Sequence, residues 1–231
     1  MLDKGAPWLI RGSAARLLAI SNSSSTVGAL LHQFFGQDEK DELWDTALVL
    51  ETLSDRRAVG PLAGALNDPN PHRRHAAARA LGWIPQAGNR AVEALIGALT
   101  DQRQLQPVRE EAAESLAYLY SRRAIPPLIS VLSDSDVRIR FWAVFALGSI
   151  RSRRTSRHSD RRVVPALMSM LGDPAIPPGN WWSVAREALA MLGNLDPPEE
   201  RYRRLLAEEL QRVQVDPESS PADRRWAESY R

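Results

Sequence analysis

An eleven-residue phrase recurs four times along this 231-residue chain and restricts its fold more than any other property. It reads AVGPLAGALND at 58–68, AVEALIGALTD at 91–101, AIPPLISVLSD at 124–134 and VVPALMSMLGD at 163–173. The closing aspartates, Asp68, Asp101, Asp134 and Asp173, are spaced by 33, 33 and 39 residues, and Arg57, Arg90, Arg123 and Arg162 precede the phrases at the same intervals. A fixed period of this length marks a chain built from one supersecondary unit that cannot bury its apolar side alone and must stack on copies of itself.

Each unit reads as two helices. The phrase supplies the first: Val59, Leu62, Ala63 and Leu66 fall at i, i+3, i+4 and i+7 and form one stripe. Pro61, Pro126 and Pro165 sit in its first turn, where the missing amide costs nothing. The second helix is alanine-rich, over Arg73–Gly82, Val108–Ala117, Ile139–Gly148 and Val184–Gly193. Ala77, Ala112, Ala143 and Ala188 stand four before its last leucine, where helices must approach closely. Gly82, Gly148 and Gly193 are expected to end these helices in the left-handed conformation. The register makes Leu66, Leu99, Leu132 and Leu171 equivalent buried positions of first helices, and Leu81, Leu116, Leu147 and Leu192 those of second helices.

A fainter unit precedes these, with helices over Val27–Phe35 and Glu42–Leu53. Trp8–Ile20 reads as a lone N-terminal helix, and Glu199–Val213 as a polar helix covering the open edge of the last unit. The expected architecture is all-α, a single α-solenoid domain over 1–213 with about five helix pairs. Residues 214–231, polar and carrying Pro217 and Pro221, read as a flexible tail.

An aspartate followed six residues later by arginine, with Arg-Ala-Val-x-x-Leu opening the next unit, resembles HEAT repeats of the short phycobilin-lyase-like type over about residues 26–195. The resemblance implies a right-handed superhelix whose second helices line the concave face. It also implies an Asp–Arg hydrogen-bond ladder between neighbouring units. Asp68 with Arg74 and Asp134 with Arg140 keep the spacing, and Asp101 with Arg109 keeps it after a two-residue insertion. In the fourth unit Ala185 takes the arginine position and Arg186 comes one place late.

Composition narrows the chemistry. The chain has no cysteine, which removes disulfides, thiol catalysis, zinc ribbons and iron–sulfur sites. No stretch of 18 to 20 apolar residues is present, and residues 1–20 lack a signal-peptide layout, so the expected location is cytoplasmic. Net charge is +2, and all basic residues except Lys4 and Lys40 are arginine. No cofactor motif, Gly-x-Ser-x-Gly element or phosphate-cradling glycine loop occurs.

Three constellations carry the candidate chemistry. His72 and His75, with Asp68 nearby, have ligand spacing, but polar groups at a solvated helix start explain them as well, and no metal site is assigned. Deoxyhypusine hydroxylase, a HEAT-type enzyme, holds iron with repeated His-Glu dipeptides; none of His32, His72, His75 and His158 is followed by glutamate. Glu110 and Glu114, beside Glu111, share a helix face and read as a solvated or salt-bridged surface before an acid–base pair. The run from Arg151 through Arg153, Arg154, Arg157 and Arg161 to Arg162 holds six arginines against Asp160, an anion or nucleic-acid patch or a solvated loop.

Partner-binding candidates come from the repeat register. Positions six and three before the last leucine should face the groove, giving His75 and Ala78, Glu110 and Ala113, Phe141 and Val144, and Arg186 and Leu189. Phe141, Val144 and Phe145 read as a surplus apolar patch, although packing against the adjacent unit accounts for them equally. Trp181 and Trp182, in an insertion before the last second helix, are candidate partner anchors or gap-fillers. Three functions remain open. They are a non-catalytic module binding a protein or peptide, a nucleic-acid binder using the arginine run, and a bilin-lyase-like or chaperone-like protein.

Overall fold

The computed structural model describes residues 24–84, 87–152, 160–180, 182–195 and 200–215, together with Arg224. All elements among them are helical. In chain order they are α1 (Ser24–Phe35), α2 (Lys40–Leu53), α3 (Val59–Ala65), α4 (Pro71–Gly82), α5 (Gly88–Thr100), α6 (Gln106–Leu119), α7 (Ile125–Ser130), α8 (Val137–Ser152), α9 (Val163–Ser169), α10 (Val184–Leu195) and α11 (Glu200–Val215). Single 3-10 turns, Arg56–Ala58 and Arg122–Ala124, lead into α3 and α7. The expected helix over Trp8–Ile20, and the tail beyond Val215 except Arg224, lie outside the described residues.

The chain divides after Pro127 into two compact units, each described by itself. In a repeat stack each unit touches its neighbours alone, so no long-range core obliges the whole chain to form one body. In the first compact unit α2, α4 and α6 pack in succession, with α1, α3 and α5 forming the other layer. In the second, α8 packs on α10, α9 rests on both, and α11 follows on α10. The leucine register holds in both. Leu66 and Leu99 are at most 2% exposed and Leu132 and Leu171 are 8% exposed, while Leu81, Leu116, Leu147 and Leu192 are fully buried.

Local signals explain the element boundaries. Asn70 caps α4 by accepting from the His72 amide at 2.9 Å, and Pro71 occupies the first turn. Asp55 accepts from the Arg57 amide at 2.8 Å and binds the same residue's guanidinium. The left-handed ends belong to Ser54 (φ 51°) and Tyr120 (φ 49°), which close α2 and α6.

That corrects the reading of Gly82, Gly148 and Gly193. All three lie inside helices, and none has a positive φ. Gly82 is required by close approach instead: a Cβ there would lie 2.8 Å from the Ser115 Cα on α6. At Gly148 a Cβ would lie 2.6 Å from the Met191 Cβ on α10.

The Arg74 and Arg140 rungs of the expected ladder are present, made to the backbone carbonyls of Asp68 and Asp134 rather than to their carboxylates. Arg140 Nη1 donates to the backbone carbonyl of Asp134 at 2.8 Å, while Nε and Nη2 donate to the Asp173 carboxylate at 2.7 and 3.3 Å. The arginine thus ties its own loop to the aspartate one repeat ahead. Arg74 likewise donates to Asp68 O at 2.8 Å, but its Nε reaches Gln104 Oε1, also at 2.8 Å. The two-residue insertion supplies Gln104, and Asp101 pairs with Arg103. Arg109 turns its Nε to Leu99 O at 3.0 Å. At Ala185, which lacks a guanidinium, the backbone amide donates to Asp173 O at 2.9 Å. Equivalent aspartates therefore differ in worth. Asp173→Ala is expected to cost about 2 kcal/mol, as loss of a charge-assisted pair held at 16% exposure on both sides. Asp101→Ala, losing a partner that is 92% exposed, should cost less. Urea titrations of the two variants check the order.

Candidate functional site

In the first compact unit, the second helices α2, α4 and α6 bring aromatic and charged side chains to one place. Trp44 of α2 lies 4.9 Å, ring centre to ring centre, from His75 of α4. The Arg79 guanidinium lies over Trp44 at 5.2 Å and over Trp83 at 6.0 Å. Trp83 in turn stacks on Tyr118 of α6 at 4.6 Å, and the Tyr118 hydroxyl donates to Glu114 Oε1 at 3.4 Å. Glu111 approaches His75 at 3.3 Å and Arg79 at 3.8 Å, and Glu51 of α2 approaches Arg79 at 3.6 Å.

The electrostatics of this cluster are unbalanced. Glu51, Glu111 and Glu114 surround one guanidinium, whose distances to Glu51 and Glu111 suit ion pairs but are too long for hydrogen bonds. Glu51 Oε2 and Glu111 Oε1 are buried without a hydrogen-bond partner. Burial, then the neighbouring Glu111, pushes Glu114 up to about 7 against the Arg79 charge, with Glu110 adding to the rise and the Tyr118 hydrogen bond opposing it. Burial raises Glu51, and burial together with Glu114 raises Tyr118.

A parallel arrangement occupies the second compact unit. Glu187 stands five before Leu192 as Glu111 does before Leu116, and both are buried, at 3% and 7% exposure. Trp182 Nε1 donates to Glu187 Oε2 at 2.9 Å, and the Arg186 guanidinium lies 5.0 Å from the Trp182 ring centre. Burial dominates, and Glu187 is also pushed up to about 7.

A pH dependence follows. The folded chain holds protons on Glu114 and Glu187 that the unfolded chain releases near 4.5, so stability falls as pH rises from about 4.5 to 7. Glu114→Gln and Glu187→Gln should each melt higher than the parent at pH 8 and level with it at pH 4.5. Thermal melts across that range check this.

The groove register needs correction. Ala78, Ala113, Val144 and Leu189, three before the last leucine, are all buried, at 0, 0, 0 and 3% exposure. Arg79, Glu114, Phe145 and Ala190, two before it, are half-buried. On a helix of 3.6 residues per turn, the outward partner of position six before is four residues on, not three. Phe141 is 5% exposed and Val144 fully buried, so both are core and neither belongs to a surface patch. Phe145 is half-buried, edge-on to Trp142 at 5.5 Å.

The remaining expectations divide. His75 and Glu110 are half-buried as placed, with Glu110 Oε2 accepting from Gln106 Nε2 at 2.8 Å. Of the solvated or salt-bridged surface expected for the glutamates, Glu111 keeps the ion pairs, with His75 and Arg79, but α4 packs on α6 and draws Glu111 and Glu114 out of water. Trp182 and Arg186 join the second cluster, while Trp181 lies outside the described residues. Arg153, Arg154, Arg157 and the Arg151 side chain also lie outside them. Arg161 is exposed, and Arg162 binds Asp160 at 2.7 Å. His72 is exposed, and no group of three or more metal-ligating side chains converges among the described residues. Glu51, Arg79 and Trp44 were not singled out from sequence. An i, i+4 reading finds Arg79, and Trp44 stands six before Leu50 as His75 does before Leu81, so the register carried back into α2 finds it as well.

Residues 29–116 and 103–177 match the family of HEAT repeats. The chain is a HEAT-repeat protein. It is 30% identical over 131 residues to the deoxyhypusine hydroxylase of Candida albicans, a match covering 56% of this chain and 41% of that enzyme. The HEAT-repeat protein therefore corresponds to less than half the length of that relative. It also resembles the solved complex of CpcE and CpcF of phycocyanin lyase from Nostoc sp. PCC7120. There the identity is 21%, the coverage 98% of this chain and 90% of that one, and the TM-score 0.50. Computationally designed armadillo repeat proteins for modular peptide recognition are 17% identical, covering 94% of this chain and 97% of theirs at a TM-score of 0.58. These likenesses place the HEAT-repeat protein among α-solenoids. No helix among its described residues is long and apolar enough to cross a membrane.

Proposed function

We propose that this HEAT-repeat protein is a non-catalytic interaction module that takes a protein or peptide partner on the face formed by α2, α4 and α6. The observation that carries the reading is the Trp44, Arg79, Trp83 and Glu111 cluster on successive second helices, with buried carboxylate oxygens left without hydrogen-bond partners. Aromatic and arginine side chains of this kind anchor protein interfaces. The sequence adds no Ser-His-Asp order, thiol or His-Glu dipeptide to make the face catalytic. The armadillo likeness supports the reading at the level of fold alone. The nucleic-acid alternative rests on the arginine run, of which Arg153, Arg154, Arg157 and the Arg151 side chain lie outside the described residues, while Arg162 pairs with Asp160.

Selection of phage-displayed random dodecapeptides against the full chain tests the reading. Selected peptides should bind the purified protein, and Trp83→Ala should weaken them at least tenfold. Failure to select any peptide, or peptides indifferent to Trp83 and Tyr118 substitutions, would remove it.

A further inference from the structure

The surplus of carboxylates identifies the partner's chemistry. We propose that the α2–α4–α6 face binds an arginine or lysine side chain on a cationic segment of the partner, with Glu51, Glu111 and Glu114 reading its charge. This rests on the interaction reading above and adds the class of residue recognised.

Three carboxylates face one guanidinium, Arg79, and one imidazole, His75, so the cluster is short of positive charge. The Glu111 side chain is 8% exposed, and its Oε1 has no hydrogen-bond donor; Glu51 Oε2 is in the same condition. Each of these oxygens keeps an ion pair with Arg79, at 3.8 and 3.6 Å, but a buried oxygen that accepts no hydrogen bond is unfavourable by more than an ordinary hydrogen bond returns. A second observation bears on the sign of what belongs there. The guanidinium of Arg79 already lies over Trp44 and Trp83, so these indole rings are placed to attract a cation. Trp83 keeps 38% of its surface exposed, and Glu114 is half-buried with one long hydrogen bond from Tyr118. A second cation settling over Trp83 beside Glu114 gains the ring face and the carboxylate together. An anionic partner meets like charge, and an apolar one strips water from Glu114 without returning a bond.

Binding is therefore linked to protonation. Groups facing Glu114 are Glu110, Glu111 and Tyr118 on α6 and Arg79 on α4, and Glu111 brings Glu51 of α2 and His75 of α4 into contact through Arg79 and itself. A cation favours the ionised carboxyl, so affinity should fall as Glu114 takes up its proton below about 7.

The test uses fluorescein-labelled octapeptides alternating glycine with arginine, citrulline or glutamate, followed by anisotropy on the full chain at pH 8. The arginine peptide should bind at least tenfold tighter than its neutral citrulline counterpart, and the glutamate peptide should not bind. Glu111→Gln, Glu114→Gln and Trp83→Ala should each weaken the arginine peptide at least fivefold while melting cooperatively. Glu93→Gln, on the exposed surface of α5, should leave it unchanged. Wild-type affinity should fall at least threefold from pH 8 to pH 6, and Glu114→Gln should flatten that change. Equal binding of arginine and citrulline peptides, or arginine binding indifferent to Glu114, Glu111 and Trp83, would overturn the proposal. Dodecapeptides that depend on Trp83 yet carry acidic or apolar anchors would overturn it while leaving the interaction module standing. If no peptide uses the face, both fall.

Discussion

Replacing Arg73 by alanine should destabilise the chain by about 3–5 kcal/mol, the range for breaking a buried ion pair by removing one partner. Arg73 is 8% exposed although it opens a helix. Its Nη1 donates to Asp68 Oδ1 at 2.8 Å, and its Nη2 donates to Gln37 O at 2.5 Å and to Asp38 Oδ1 at 2.9 Å. One side chain thus fastens the loop before α4 to the loop between α1 and α2, one repeat back. Without it Asp68 keeps its charge at 14% side-chain exposure and loses its cation. Arg74→Ala, which removes bonds to Gln104 and to backbone carbonyls, should cost less because no buried charge is left unpaired. Arg73→Lys should not restore stability, since an ammonium cannot span both loops as a planar fork does. Urea unfolding followed by circular dichroism gives all three values.

Two glycine-to-alanine changes should move stability in opposite directions. Alanine is the better helix former by about 1 kcal/mol wherever its methyl group has room. Gly97, in mid-α5, would place the methyl with nothing within 4 Å, so Gly97→Ala should stabilise by about that amount. At Gly82 the methyl meets the Ser115 side chain and, at 2.8 Å, its Cα. Backbone cannot rotate aside, so α4 and α6 must separate, and the net cost should be about 1–3 kcal/mol. Ser115 is 1% exposed and donates to Ala78 O at 2.9 Å, a bond the separation would stretch. A stabilised Gly82→Ala would show that the two helices are farther apart than described.

The contrast also explains what was legible in the sequence. Helix pairs and the eight register leucines follow from period and stripe, because burial of an apolar row leaves little choice. An Ala-Leu-Gly ending does not distinguish a left-handed cap from a point of close helix contact, and at Gly82 and Gly148 the second applies. The ladder arginines and the aspartates of their own loops were visible, but the second partner of Arg74 depended on a two-residue insertion that brings Gln104 to the place Asp173 takes for Arg140. The cluster was half visible. The register finds His75, but an i+3 partner misses Arg79 and wrongly includes Val144, whereas Phe141 holds the same register position as His75 and is buried all the same. Glu111 and Glu187 share a repeat position, but acids at that position read as surface until the packing of the neighbouring helix is known.

Stability and binding should trade against each other at Glu114. Glu114→Gln relieves a charge held in a desolvated place, so it should raise the melting temperature at pH 8 while weakening a cationic peptide. A residue kept for the fold alone would not show this pair of effects.

The most direct measurement is fluorine NMR on the chain labelled with 5-fluorotryptophan, with Trp44 and Trp83 assigned by phenylalanine substitution. Titration with a dodecapeptide selected for binding should shift or broaden the Trp44 and Trp83 signals in proportion to saturation. Full saturation with both signals unmoved would place the partner elsewhere and contradict the account.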